Sequence, residues 1–362
     1  MKQYADRLKE ALECLDNTLE INDFSPKGIY IPGARSFGLV NKIQDYLTRF
    51  LSYPRQIEEI ESDIFHIVDH ANAYLASNLD MRKVVITCHD LMYLKQLKRE
   101  IPLGYEDGFI SWPAGRIFLW SCEYIPKASK LITVSNATKK DMVRLLGCRQ
   151  EDISVIYHGI DSRFREIKDK DLLQILRNKL ARGAKYALLN IGSKSSYKNF
   201  AGLLYALNIL VKRYGRDVLL IRVGEVTKRH RRLMEKLNLG QYIKVLTDIP
   251  PDELNIIYNI SDVFVFPSFY EGFGWPTIEA MACGLPIVSS DKGGLKEIVE
   301  DAAYIIDPYD AQNIARAIVN VLEDADKREE LIIKGFERVK KFNNKDMASQ
   351  TYQIYQQVNN AN

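Results

Sequence analysis

The sequence alternates short apolar, β-branched segments with longer helical segments, and it does so in two series. This alternation is typical of parallel sheets that are covered by helices. The first series predicts strands at LEINDF, DIFHIV, KVVITCH, KLITVS and ISVIYHG. A charged stretch over residues 161–185 then interrupts the pattern. The second series predicts strands at YALLNIG, DVLLIRVG, IKVLTD, DVFVFPS, LPIVSS and AAYIID, enough for a complete doubly wound sheet.

The length of the chain favours two domains, because 362 residues are many for one hydrophobic core. We therefore predict an α/β fold of two Rossmann-like, doubly wound parallel-sheet domains that face a central cleft. The predicted domains are residues 1–165 and 166–345. A helix over residues 346–362 is expected to pack back on the first domain. Ligands bind beyond the carboxyl ends of such strands, so the loops that follow strands are expected to carry the chemistry.

Composition excludes several classes of function. The 50 basic and 47 acidic residues leave a net charge of +3, which gives no electrostatic argument for nucleic-acid binding. No apolar run approaches the roughly 18 residues of a membrane span, and the charged segment MKQYADRLKEALE lacks the apolar region of a signal peptide. We therefore expect a cytoplasmic protein. The widely spread cysteines favour reduced core thiols over a zinc site or a disulfide framework: Cys14, Cys88, Cys122, Cys148 and Cys283.

The most informative segment covers residues 262–294 and predicts strand, loop, helix, strand and loop. Pro276 suits the first turn of the helix, because its fixed φ fits and its missing N–H would be unpaired there. Gly272 and Gly274 let the preceding backbone approach a ligand closely. A helix N-terminus can bind phosphate through its free N–H groups. The residues that would offer these groups are Thr277, Ile278 and Glu279.

Two acidic residues bracket the start of this helix. Glu271 lies in the loop and Glu279 in the first turn, so both can face one ligand. A carboxylate accepts two hydroxyl hydrogen bonds, as a sugar or ribose diol requires. The segment therefore predicts a site for a phosphate and a diol. GFGWPT also resembles a dinucleotide fingerprint, but the intervening SFYE and the proline argue against NAD binding.

The same segment resembles the E-x7-E motif of a large family of retaining glycosyltransferases, the group 1 family. That family includes bacterial mannosyltransferases, sucrose synthases and sugar transferases of cell-envelope assembly. Further similar segments are NIGSKSSYKN, LLIRVGE, PDELNIIYNISDVFVFPS, DAAYIIDPYD, VVITCHDL, KLITVSNATKKDM and VIYHGID. The resemblance implies the GT-B fold, with an acceptor-binding first domain and a nucleotide-sugar-binding second domain. In the family, a first strand and a glycine-rich loop precede a helix like YADRLKEALE. We therefore also expect that the sequence begins after these two elements.

The resemblance also implies roles for single residues. Glu271 would face the sugar hydroxyls, and Glu279 would face the ribose. Lys198, in the loop after the first strand of the second series, would neutralise the diphosphate leaving group. The expected backbone contacts are those of Gly272, Phe273, Gly274 and Trp275 to the sugar, and of Thr277 and Ile278 to the diphosphate.

A departure from the family pattern follows Gly192, because the family usually has an arginine where this chain has Ser193. Lys194 or the ring of Tyr197 would substitute for it. We therefore expect donor contacts from Gly192, Ser193 and Lys194. Without the arginine, we expect weaker donor-phosphate contacts and a lower catalytic efficiency.

Histidines give further candidates. His89 follows the strand VVITC and is expected to approach the donor sugar and its phosphate, as a catalytic residue with Lys198 and Glu271. His66 and His70 are candidates either for acceptor contacts or for structure, and His158 is expected to be structural or to belong to the hinge. The run at 228–232 fits either the donor base or a solvated helix face. Residues 31–51 are amphipathic, which fits either ordinary packing or contact with a membrane surface.

These features predict a retaining transferase that moves a hexose, of mannose or glucose type, from a nucleotide diphosphate sugar to a hydroxyl of a glycan or lipid-linked acceptor. No metal or cofactor is implied, because the helix N-terminus and Lys198 can balance the phosphate charge. A lipid-linked acceptor would bring the protein to the inner face of the membrane. The alternatives are a catalytically impaired nucleotide-binding homologue and a nucleotide-sugar epimerase or glycogen-phosphorylase-like enzyme.

Overall fold

Two parallel β-sheets, each covered by helices, organise the chain. The computed structural model describes residues 2–24, 52–102 and 112–361. The sheet of the N-terminal lobe contains, in this order, β1 (Phe65–Ile67), β2 (Val84–Cys88), β3 (Lys130–Thr133) and β4 (Ile153–Val155). The strands of the C-terminal lobe are β5 (Tyr186–Ile191), β6 (Val218–Val223), β7 (Ile243–Leu246), β8 (Val263–Phe266), β9 (Ile287–Ser290) and β10 (Ala303–Ile306). Their order is β10-β9-β8-β5-β6-β7, and the strand pairs are parallel.

The helices lie between and around these strands. In the N-terminal lobe they are α1 (Lys2–Leu15), α2 (Tyr53–Glu58), α3 (Met92–Leu97), α4 (Trp112–Cys122) and α5 (Asn136–Leu146). Those that follow are α6 (Lys170–Leu180), α7 (Phe200–Tyr214), α8 (Lys228–Lys236), α9 (Pro251–Ile260), α10 (Trp275–Ala282), α11 (Leu295–Val299), α12 (Ala311–Glu323), α13 (Ala325–Val339) and α14 (Asn344–Asn360). Short 3-10 turns cover His70–Asn78, Met81–Lys83, Ile125–Lys127, Gln150–Asp152, Ser196–Lys198, Gly215–Asp217 and Gly240–Tyr242.

The central strands consist of almost uninterrupted apolar residues because helices cover both faces of each sheet. Every residue of β2, β6 and β8 is buried. The six strands predicted in the second half of the chain are confirmed, and so are four of the five predicted in the first half. The order in the C-terminal lobe is that of the doubly wound dinucleotide-binding fold.

The strand predicted at LEINDF is wrong, since residues 19–24 are irregular. The Asp16 carboxylate accepts hydrogen bonds from both the amide and the hydroxyl of Thr18, which fixes a turn just before this segment. Leu19 and Ile21 then pack on the apolar residues of α1 and α14. The alternating pattern is satisfied here by packing against helices, without a partner strand.

Local signals explain where the helices begin and end. The Ser135 hydroxyl accepts from the amide of Thr138 at the start of α5, and Gly147 ends that helix with φ +70°. Pro276 lies in the first turn of α10, as predicted. The basic run at 228–232 begins α8, and its charged residues are exposed. One of them, Arg231, also lines a surface pocket at the edge of the sheet.

The last helix returns to the N-terminal lobe. Met347, Ile354 and Val358 of α14 pack with Tyr4 and Leu8 of α1 and with core residues of the N-terminal sheet. Before α14, the two segments that cross between the lobes are hydrogen-bonded to each other. Their bonds are Ile160 N–H to the Phe342 carbonyl, 2.9 Å, and Asn344 Nδ2 to the Ile160 carbonyl, 3.2 Å.

Candidate functional site

The predicted site lies at the switch point of the C-terminal sheet. Strands β5 and β8 are neighbours there, and the chain runs outward from them in opposite directions. Loops that leave two such strands diverge and form a crevice at the carboxyl edge of the sheet. The loop after β5 carries Lys198, and the loop after β8 carries Glu271. The fold therefore brings together two candidates that are 73 residues apart in the sequence.

Lys198 and Glu271 form an ion pair in this crevice. The Lys198 ammonium donates to both carboxylate oxygens, at 2.7 and 2.9 Å. The two side chains are only 14% and 8% exposed. The ammonium also lies 5.1 Å from the ring centre of Tyr197 and 5.2 Å from that of Phe266. This fixed cation at a strand edge can receive the charge of a leaving phosphate.

In the residues that follow Glu271, the Phe273 side chain is buried and the Trp275 side chain is half-buried. The Phe273 ring packs against Phe342 and against His158. The Trp275 ring lies under the Arg7 guanidinium of α1, at 4.7 Å. Gly274 has φ +96°, a conformation that favours glycine. Of the predicted contacts, Phe273 and Trp275 can therefore meet a ligand chiefly through main-chain groups.

The first turn of α10 is already hydrogen-bonded in this structure. Thr277 donates both its amide and its hydroxyl to the Gly274 carbonyl, at 2.9 and 2.7 Å. Ile278 is buried among apolar residues. A phosphate at this helix N-terminus would compete with these bonds of Thr277.

Glu279 occupies an unusual environment. Its Oε2 accepts a hydrogen bond of 2.8 Å from the Tyr258 hydroxyl. Desolvation raises the pKa of Glu279 to about 7, while the Tyr258 bond and the Arg7 charge oppose the rise. The carboxyl group therefore changes charge near neutral pH.

Arg222 is a residue of this site that the sequence reasoning missed. It belongs to the wholly buried strand β6 and is itself fully buried. Its Nη1 donates to the Asn190 side chain, and its Nη2 donates to the carbonyls of Gly192 and Ser193 at 2.7 and 2.8 Å. The signal was a charged residue inside the apolar segment LLIRVG, at the strand that follows the predicted phosphate loop.

Lys194, the third donor-contact residue predicted in the loop after β5, pairs with Glu225 at 2.7 Å. Next to this pair lies a surface pocket of about 470 Å³. Its lining residues are Lys194, Glu225, Val226, Thr227, Arg231, Val245 and Thr247. The pocket opens where β6 and β7 end, on the same edge of the sheet as the ion pair.

His89 is enclosed in the N-terminal lobe. Its Nε2 lies 2.8 Å from the Val68 carbonyl, so this nitrogen carries hydrogen, and its Nδ1 lies 3.3 Å from Nε2 of His158. Burial lowers the pKa of His89 to about 4 and that of His158 well below its ordinary value, so both rings are neutral at pH 7. The backbone carbonyl of His89 faces Gly272 of the other lobe, since a Cβ atom at Gly272 would lie 2.0 Å from its oxygen.

The weaker histidine candidates have internal partners as well. His66 contacts the Tyr355 hydroxyl at 2.6 Å and Thr87 Oγ1 at 2.7 Å, and burial lowers its pKa to about 3. His70 packs edge-on against Phe118. Residues 31–51, the amphipathic segment, lie outside the described residues.

The two lobes touch directly around the crevice. The Tyr270 hydroxyl donates to Asp141 of α5, whose carboxylate also binds Lys95 at 2.9 Å. On the other side, Glu297 accepts the amides of Asn136 and Ala137, both at 3.0 Å. The C-terminal lobe thus caps the helix N-terminus of α5 in the N-terminal lobe. These contacts join the two lobes on both sides of the crevice.

We expect that Gly272→Ala opens this arrangement. A Cβ atom at Gly272 would lie 2.0 Å from the His89 carbonyl oxygen of the opposite lobe, a backbone atom that cannot rotate away. Small-angle scattering should show a larger radius of gyration, and the melting temperature should fall, since overpacking costs about 1–3 kcal/mol. Gly240→Ala is the control, because its Cβ meets no atom within 4 Å. A variant with the wild-type radius of gyration would contradict this prediction.

Cysteines and metal ligands add no further site in the part of the chain that the structure describes. All five cysteines are free thiols; four are buried as predicted, whereas Cys14 is exposed. No cluster of His, Cys, Asp and Glu within residues 2–24, 52–102 and 112–361 has the arrangement of a metal site. Across the same ranges, no helix has the length and apolar character that crossing a bilayer requires.

Two parallel-sheet lobes that close on a crevice at the switch point define the GT-B class of glycosyltransferase folds. The comparisons with known proteins agree with this class. Residues 174–338 match Glycosyl transferases group 1, and residues 13–164 match Glycosyltransferase Family 4. The chain belongs to the group 1 glycosyltransferases, as the E-x7-E motif predicted.

Proteins similar to this chain include a mannosyltransferase and two proteins of solved structure. The O-antigen chain mannosyltransferase B of Escherichia coli is 30% identical over 236 residues, which are 64% of this chain and 62% of that protein. Sucrose-phosphate synthase from Thermosynechococcus elongatus has a TM-score of 0.73 at 23% identity, over 99% of this chain and 93% of that one. Anabaena HepE, in complex with UDP and glucose, has a TM-score of 0.68 at 20% identity, over 88% and 83%. The two solved structures establish the likeness of fold.

Proposed function

We propose that this chain is a retaining hexosyltransferase. It moves a hexose, of mannose or glucose type, from a nucleotide diphosphate sugar to a hydroxyl of a glycan or lipid-linked acceptor. The observation that carries the proposal is the ion pair of Lys198 and Glu271 at the switch point of the C-terminal sheet. The similarity to a mannosyltransferase and to a protein that holds UDP and glucose supports the choice of donor class.

The ion pair suits the two halves of such a donor. When the donor binds, its diphosphate attracts the Lys198 ammonium, and the sugar hydroxyls donate to the Glu271 carboxylate that the ammonium leaves. Because the pair is preformed and mostly buried, neither side chain has to be ordered or desolvated when the donor binds. The Lys198 ammonium then stabilises the negative charge that develops on the leaving phosphate. No metal ion is required for this step in the proposed mechanism.

In this proposal the anomeric configuration is retained because the acceptor oxygen attacks the anomeric carbon on the same face from which the phosphate leaves. The bond between the anomeric carbon and the phosphate oxygen breaks, and a bond from the acceptor oxygen to that carbon forms on the same face. The acceptor proton passes to the departing phosphate. Because the sugar hydroxyls donate to the Glu271 carboxylate in the donor complex, we assign Glu271 to sugar binding and not to nucleophilic attack.

The nucleoside is assigned to the 470 Å³ pocket beside the donor loop. Val226 and Val245 give it apolar surface for a base, while Glu225 and Arg231 offer groups for hydrogen bonds. Glu279 is assigned to the ribose. A lipid-linked acceptor would place the protein at the inner face of the membrane.

The test is thermal unfolding of the purified protein with UDP, GDP, ADP and dTDP, each with magnesium and with EDTA. A ligand at 100 times its Kd should add about 2.7 kcal/mol to the free energy of unfolding. We expect one diphosphate to stand out and its effect to persist in EDTA. The matching nucleotide sugars, GDP-mannose and UDP-glucose first, are then assayed for transfer, and NMR of the product gives the anomeric configuration.

Three results would count against the proposal. No shift with any diphosphate would favour the catalytically impaired homologue. A shift that EDTA abolishes would contradict the metal-independent site. An inverted product would refute retention while leaving the donor site intact.

A further inference from the structure

Arg222 is a buried cation without a buried anion. Its guanidinium is fully buried, and no carboxylate among the described residues forms an ion pair with it. Burial lowers the pKa of Arg222 to about 10, and burial is the sole cause of that shift. Isolated buried charges are costly, and proteins normally pair them. This unpaired buried charge favours an anion-binding site close to the guanidinium.

The contacts of the guanidinium are all with neutral groups of one loop. Nη1 binds the Asn190 side chain, whose Nδ2 is fixed in turn by the Val265 carbonyl at 2.7 Å. Nη2 binds the consecutive carbonyls of Gly192 and Ser193. The Nε atom has no hydrogen-bond partner among the described residues. The Phe200 ring, 4.6 Å from the guanidinium carbon, closes the remaining side.

The two carbonyl contacts determine the direction of the loop amides. In a trans peptide the C=O and the following N–H point in opposite directions. Because the carbonyls of Gly192 and Ser193 point inward to Arg222, the N–H groups of Ser193 and Lys194 point outward. Neither N–H has an acceptor within the described part of the chain. Two successive outward amides form the kind of nest that binds a phosphate oxygen.

The guanidinium and the Lys198 side chain flank the same point of the loop. A Cβ atom on Gly192 would lie 3.4 Å from Arg222 Nη1 and 3.4 Å from two carbons of Lys198. Lys198 is neutralised by Glu271 and Lys194 by Glu225, so Arg222 is the cation of this group that has no paired acid. The Arg222 guanidinium therefore places positive charge beneath the loop, whereas residue 193 of the loop itself is an uncharged serine.

We propose that Arg222 is a positioning residue for the donor diphosphate: it turns the amides of Ser193 and Lys194 outward and supplies, from beneath the loop, the positive charge that Ser193 lacks. This rests on the proposed function. The guanidinium does not touch the ligand, and it acts through the two peptide groups that it holds. Binding of an anion on the outer side compensates the buried charge.

The test compares ligands that differ only in phosphate. Isothermal calorimetry measures UDP, GDP, ADP and dTDP, each together with its monophosphate and its nucleoside, on wild type and on Arg222→Met. We expect the affinity for the diphosphate that binds to fall roughly 10- to 100-fold, as for the loss of a charged hydrogen-bond group, and the affinity for its nucleoside to change less than about threefold. Arg338→Met is the control for the loss of a buried arginine, because Arg338 is also buried and also holds two consecutive carbonyls, those of Glu297 and Ile298. Unlike Arg222, it has an acid partner, Glu300, at 2.9 Å.

A rescue variant separates charge from structure. Ser193→Arg in the Arg222→Met background should restore much of the diphosphate affinity, since it returns a cation to the loop from the outer side. If Arg222→Met does not fold, Arg222→Lys carries the same ligand series, and its loss should again be confined to the phosphate-bearing ligands.

Equal losses for nucleoside and diphosphate, or unchanged affinity for both, would overturn the inference. A wild-type protein that binds none of the four diphosphates would overturn the proposed function together with it. If the wild type binds a diphosphate and Arg338→Met weakens that binding as much as Arg222→Met does, only the role of Arg222 is overturned.

Discussion

Replacing Lys198 with alanine lowers the rate of sugar transfer by roughly 10²- to 10³-fold, the loss typical of one preorganised electrostatic group. The Lys198 ammonium is held in place by Glu271 and by two aromatic rings before any donor arrives. Its interaction with the leaving phosphate strengthens as negative charge develops, so the loss falls mainly on kcat. Steady-state kinetics with the nucleotide sugar selected by the diphosphate screen provide the measurement.

Two further variants show whether the loss reflects charge or folding. Lys198→Arg keeps a cation and should recover part of the rate. Lys327→Ala removes a lysine that pairs with Glu330 on α13 and should leave the rate unchanged. If Lys198→Ala retains more than one fifth of the wild-type rate, Lys198 does not stabilise the leaving group.

Replacing Glu279 with glutamine removes a pH dependence of stability on the neutral side. The pKa of Glu279 rises from 4.5 to about 7 in the folded protein because of desolvation. Between these values the folded state binds more protons than the unfolded state, so the contribution of Glu279 to stability falls as pH rises. From pH 4.5 to pH 8 the wild type should lose about 2–3 kcal/mol relative to Glu279→Gln.

Urea unfolding at several pH values measures this difference. Glu329→Gln is the control, since Glu329 is exposed on α13. Its stability should run parallel to that of the wild type at every pH. Parallel curves for Glu279→Gln as well would mean that the carboxyl group is solvated in the folded protein.

Much of the fold was predictable because its signals are local. The strands of a parallel sheet are buried on both faces, and they appear in the sequence as short apolar runs between helices. Pro276 and Gly274 mark the start of α10 through backbone conformations that few other residues favour. LEINDF misled because an apolar alternation can pack on helices as well as on a neighbouring strand, and the sequence does not say which.

The candidate site was only partly predictable, for a different reason. The meeting of Lys198 with Glu271 depends on β5 and β8 being neighbours, which the doubly wound pattern implies. Arg222 was not predicted because the sequence does not show which groups a charged residue in an apolar strand binds. Its partners are the carbonyls of Gly192 and Ser193, which only the folded structure brings close. The enclosure of His89 depends on His158 and Val68, which are 69 and 21 residues away, and no local pattern reports contacts of that kind.

The packing of α14 on α1 has a consequence for biosynthesis. The ribosome makes α1 and the N-terminal sheet first, but the apolar residues Tyr4 and Leu8 are covered by Met347 and Ile354, which follow the entire C-terminal lobe. At about 5–20 residues per second, the translation of that lobe takes on the order of 10 s or more. During this interval the nascent chain carries an uncovered apolar surface. The lobe that is made first therefore waits for a much later segment, and chaperones have that time in which to bind it.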